Sequence, residues 1–85
     1  MKNLQTFVDR ENQYGAIFGG KPLNLANAAD RQRIANMIDA RLSPENLSCD
    51  GEISRTETNR RYRELCRCAE QLLKLDPTVK FYEYV

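Results

Sequence analysis

Residues Ser54 to Leu75 read SRTETNRRYRELCRCAEQLLKL. Tyr62, Leu65, Cys66, Ala69, Leu72 and Leu73 recur at intervals of three and four, the spacing that lines one side of a helix. The pattern predicts a helix over Arg55–Leu75 with this stripe turned inward, Cys66 in the core and Cys68 off the stripe. Ser54 followed by Glu57 reads as a capping box: the hydroxyl takes a first-turn backbone N–H and the carboxylate reaches back to the cap's own N–H. Ile53, just before the cap, is placed to staple onto the helix. Asp76-Pro77 ends the pattern.

Upstream, Ile34, Met37 and Ile38 fall at i, i+3 and i+4, with Leu42 one turn on. They predict a second helix over Ala28–Leu42, with Asn27 or Asn24 as its cap and Ser43-Pro44 as its stop. Leu4, Phe7 and Val8 form a shorter apolar face, which predicts a first helix over Lys2–Tyr14 halted by Gly15. Two segments carry strand-like composition without helical spacing. One is Ala16-Ile17-Phe18, closed by Gly19-Gly20; the other is the tail TVKFYEYV. They are expected to pair as a short two-stranded β element, or else to form a loop and a tail lying on the helices. The fold class is therefore mainly α, a small three-helix domain spanning residues 1–85.

Composition narrows the function classes. A chain of 85 residues buries a bit over ~60% of its unfolded surface. That suffices for one small core, which a homodimer would thicken. The net charge is +1, with 29% charged residues, so no bulk field draws the chain to nucleic acid or lipid. The start, MKNLQTFVDRENQYG, has no apolar run of the kind a secretory signal needs, and no segment approaches a membrane span. Three cysteines, Cys49, Cys66 and Cys68, suit free thiols in a reducing cytoplasm. Histidine is absent, which removes the commonest general base. No carboxylate pair is marked by its spacing, so the chain reads as a non-enzyme without a cofactor. Cys66-Arg67-Cys68 points two thiols to different sides of a helix and is no metal clamp. Phe18-Gly19-Gly20-Lys21-Pro22 lacks the Ser or Thr of a phosphate loop.

The connector Asn46 to Glu57, NLSCDGEISRTE, resembles an EF-hand calcium loop. With Gly51 at position six, Asn46, Ser48, Asp50, Glu52, Ser54 and Glu57 fall on positions one, three, five, seven, nine and twelve, and Ile53 on eight. Only Asp50 and Glu57 would bring negative side-chain charge to the ion as ligands, and Pro44 stands where the incoming helix should still run. The capping box and the Asp50-Gly51 turn explain the same residues, and the cap is the reading taken. Calcium is the third alternative, and no other metal or cofactor is implied.

The same helix is the most basic part of the chain. Arg60, Arg63, Arg67 and Lys74 lie within about 60° of one another on its circumference, a row able to meet an acidic protein or to track phosphates. Tyr82 and Tyr84 bring aromatic side chains to the chain end, where they either complete the core or offer an adhesive segment to another chain.

Over Arg41–Pro77 the chain resembles small uncharacterised proteins of bacteria and their phages. The resemblance rests on a helix end, a segment like Ser43-Pro44-Glu45-Asn46-Leu47, then Asp50-Gly51-Glu52, then an arginine- and tyrosine-bearing helix. It implies a bacterial cytoplasm, or a phage protein acting on a host protein. Together these readings predict a non-enzymatic protein-binding domain, with Arg60, Arg63, Arg67, Lys74, Tyr82 and Tyr84 as contacts. The alternative is a small nucleic-acid-binding regulator using the same basic face.

Overall fold

A computed structural model describes residues 3–43, 46 and 54–84. They form three helices: α1 (Leu4–Ile17), α2 (Ala28–Leu42) and α3 (Arg55–Leu75). Each begins at a side-chain cap that satisfies first-turn N–H groups. The Asn3 side chain accepts from Thr6 N–H, Asn27 from Ala29 and Asp30 N–H, and Ser54 Oγ from Glu57 N–H at 3.1 Å. The expected bounds of α2 and α3 are those observed. The expected first residue of α1, Lys2, lies outside the described residues, as do Ile53 and the Asp50-Gly51 turn.

α3 is the central element, and α1 and α2 both pack against it. Leu4, Phe7 and Val8 of α1 meet Ile34, Ala35, Ile38 and Leu42 of α2 and Leu65, Cys68, Ala69 and Leu72 of α3 in a single core. The molecule measures 36 × 31 × 20 Å, and its least dimension is about two helix diameters. Two interhelix links reinforce the packing. Arg31, at the start of α2, pairs with Asp76 at the end of α3 at 3.5 Å. Arg41, near the end of α2, pairs with Glu11 of α1.

The buried side of α3 is turned by about 50° from the stripe that spacing alone predicts. Its centre is Leu65, Cys68, Ala69 and Leu72, while Tyr62 is 50% exposed. The two cysteines exchange roles: Cys68 is fully buried and Cys66 half-buried. The cause is that two helices dock on α3. The backbone N–H of Leu4 donates to Gln71 Oε1 at 2.8 Å, so α1 covers the Gln71 and Cys68 side, and the core is centred between the two contacts. Burial pushes the Cys68 thiol up to about 11, which keeps it protonated and unreactive.

Among the described residues there is no strand, and the expected β element is not formed. α1 runs through Gly15 to Ile17, so Ala16 and Ile17 belong to its last turn. The true stop is Gly19, at φ 75°, a left-handed conformation that costs glycine little. Gly19 N–H donates to Ala16 O at 3.2 Å and Gly20 N–H to Gly15 O at 2.7 Å, the two bonds of a Schellman cap. The loop then returns along α1, where Asn12 grips it twice. Asn12 Nδ2 donates to Leu23 O at 3.0 Å, and Leu23 N–H donates to Asn12 Oδ1 at 2.7 Å.

The tail turns at Pro77-Thr78, bends at Tyr82-Glu83, and pairs with side chains of α2. Lys80 N–H donates to Gln32 Oε1, and Gln32 Nε2 donates to Lys80 O. The carboxylate of Asp39 accepts from Tyr82, Glu83 and Tyr84 N–H at 2.6, 3.2 and 3.3 Å. Val79 is buried, and Phe81 and Tyr84 rest on the core with their rings edge to face at 5.6 Å.

Candidate protein-binding surface

The six residues named as contacts from the sequence do not form one patch. On α3, Arg60 is held by two carboxylates. Its Nε donates to Glu57 Oε2 at 2.9 Å and its NH1 to Glu64 Oε1 at 3.0 Å, while Arg61 Nε reaches Glu57 Oε1 at 3.3 Å. The hydrogen bond from Arg60 is the chief reason that the Glu57 carboxyl titrates at about 2 rather than 4.5, with Arg61 adding to it. In turn, Glu57 lifts the Arg60 guanidinium above its ordinary value. Arg63, Arg67 and Lys74 differ from Arg60. All three are exposed, and among the described residues none makes an ion pair. Their Cα atoms span about 16 Å along the helix, on the side facing away from the core.

Tyr82 is 81% exposed, but it stands over α2, beside Gln32, Asn36 and Asp39. Tyr84 is half-buried. The Tyr62 phenol is held above its ordinary value, first by its hydrogen bond to the Cys66 thiol, with Tyr84 also contributing. The tail therefore serves both as core and as surface, residue by residue.

A cleft of about 830 Å³ opens where the middle of α1, the end of α2 and the first half of α3 converge. Phe7, Met37 and Leu65 give it an apolar lining, and Arg10, Arg41, Arg60 and Arg61 give it positive charge. Arg41 also lies over the Phe7 ring, 6.0 Å from its centroid, a cation–π distance. The side chain of Glu11, its ion-pair partner, is only 7% exposed. The cleft is not legible in the sequence because it spans three helices. One signal was present: Glu11 stands at i+7 from Leu4 and i+4 from Phe7, a charged residue on an apolar face that calls for a buried partner.

Of the calcium positions, Ser48, Asp50 and Glu52 lie outside the described residues. Asn46 lines the cleft, Ser54 caps α3, and Glu57 faces two arginines. Among the described residues no group of three Cys, Asp or Glu side chains is arranged to hold a metal, and no helix is long and apolar enough to cross a membrane. No protein family, curated protein or solved structure matches the chain.

Proposed function

We propose that this chain is a non-enzymatic binding module that engages an acidic surface of a protein partner through the outer side of α3. The observation that supports it is the contrast along one helix. The charge of Arg60 is neutralised within the fold, whereas Arg63, Arg67 and Lys74 stand exposed in a row without a carboxylate partner among the described residues. Exposed cations without a carboxylate partner in the fold are free to pair with a partner's acids, which governs encounter and specificity. The resemblance of Arg41–Pro77 to small bacterial and phage proteins supports a bacterial cytoplasm as the setting and a host protein as the partner. The same row could track phosphates, but Glu70 is exposed beside it and would repel a nucleic-acid backbone.

The test is affinity capture from a bacterial lysate, half of it nuclease-treated, with wild type and with the triple variant Arg63→Glu, Arg67→Glu, Lys74→Glu. The expected result is a protein retained in both halves by wild type and lost by a triple variant whose circular dichroism and melting are unchanged. Capture that survives charge reversal would refute the reading. Capture that vanishes with nuclease would replace it by nucleic-acid binding.

A further inference from the structure

Tyr14, Ile17 and Phe18 are 59%, 75% and 84% exposed, and they cluster at the end of α1. Tyr14 and Phe18 lie within about 40° of Phe7 on the helix circumference, and Ile17 lies close beside Arg10. The ridge that lines the cleft through Phe7, Arg10 and Tyr14 thus continues past it into solvent as Ile17 and Phe18.

Local structure does not require these side chains. A Schellman cap is often closed by an apolar contact from the residue just past its left-handed position back to the last full turn, but here that residue is Gly20, which has no side chain to meet Tyr14. Gly19 ends the helix whatever precedes it. Two large apolar groups left in water beside a charged cleft mark a site for a partner.

The charge on the rim narrows the partner. Among the side chains lining the cleft, four arginines face two glutamates, Glu11 and Glu57, and Glu64 pairs with Arg60 from beside it, which leaves the cations in excess. Arg41 remains about half exposed despite its ion pair, and Arg10 has no ion pair among the described residues. A second copy docked symmetrically would set this arginine rim against itself, and like charges across an interface cost affinity. A nucleic acid would supply anions but no apolar face for Ile17. We infer that the cleft and the exposed end of α1 anchor an acidic amphipathic segment of the protein partner, its apolar side chains on Tyr14, Ile17 and Phe18 and its carboxylates on the arginine rim. A segment of this kind docks as a helix laid in a groove. The inference rests on the protein-binding reading and adds an anchor to it.

The probe is a fluorescein-labelled 16-residue peptide with Leu and Phe at i, i+3, i+4 and i+7 and Glu elsewhere, titrated with the full chain and read by anisotropy. Controls are the same peptide with Lys for Glu, and a Glu-rich peptide without apolar residues. Saturable binding of the first peptide is expected. It should weaken about tenfold or more in Ile17→Ser/Phe18→Ser and several-fold, in a salt-dependent way, in Arg10→Glu. All three side chains are exposed, so the variants should melt as wild type does. Equal binding of the Lys peptide, absence of binding, or binding indifferent to Ile17→Ser/Phe18→Ser would overturn the anchor. So would self-association of the chain that Ile17→Ser/Phe18→Ser abolishes. If the purely acidic peptide binds as well as the amphipathic one, or if lysate capture is lost only on reversal of the α3 row, the anchor fails while the protein-binding reading stands.

Discussion

Ala16-Ile17-Phe18 and Phe81-Tyr82-Glu83-Tyr84 are the two segments whose composition most suggests strands, and they come to opposite ends. The first is drawn into the last turn of α1 and leaves its apolar side chains in water. The second bends around the Asp39 carboxylate and turns Phe81 and Tyr84 onto the core. The difference lies in where each backbone finds its hydrogen bonds. At the end of α1 the N–H groups turn back to carbonyls of their own helix, through a glycine that can adopt φ 75°. In the tail they reach across to Asp39 and Gln32. Apolar content proposes burial, but the available hydrogen-bond partners decide the backbone shape, and only then do side chains fall in or out.

Removing the tail's acceptor breaks the comparison most severely. Asp39→Ala leaves three N–H groups without their partner and is expected to cost about 3 kcal/mol, measured by urea unfolding. Asp39→Asn keeps one acceptor oxygen and should cost roughly half as much. Acid gives a weaker form of the same break at the root of the tail. Asp76 is held below its ordinary 3.8 by the Thr78 hydroxyl and N–H first, and then by Arg31. A carboxylate with a lowered folded pKa contributes its full stability above the unfolded value and loses it as pH falls through the folded one. Amide protection at Thr78 and Val79, taken relative to the intrinsic exchange rate at each pH, should therefore fall below pH 3.8, while Gly19 and Gly20, held by backbone carbonyls alone, should show no such step.

The α1 end is probed by its glycines. Gly19→Ala places a side chain at positive φ and should destabilise by about 1 kcal/mol. Gly15→Ala should stabilise by about 0.5–1 kcal/mol, because a Cβ there meets nothing within 4 Å and the position lies inside a helix. Thermal melts of the two single variants, shifted in opposite directions, would show that Gly19 rather than Gly15 ends α1.

Much of the fold was legible in the chain. Spacing and caps located α2 and α3, since Asn27 and Ser54 act within their own first turn and need no knowledge of the rest. The rotation of α3 was not legible, because it depends on two helices docking at once, and so Cys66 and Cys68 were interchanged. Gly15 reads as a stop because glycine is read for what it permits, whereas only the geometry at Gly19 requires it. Of the candidate site, the α3 row was visible as a sequence pattern. The cleft was not, since Arg10, Arg41 and Arg61 come from three helices, and only Glu11, polar within an apolar stripe, hinted that they meet.

Gln32 and Asp39 grip the tail by its peptide groups and leave Lys80, Tyr82 and Glu83 uncommitted and solvent-facing. Those three positions can be rewritten without loosening the grip. The molecule thus carries a short segment, held by its backbone, whose lettering is independent of the scaffold beneath it, a natural place to graft a recognition sequence or a reporter.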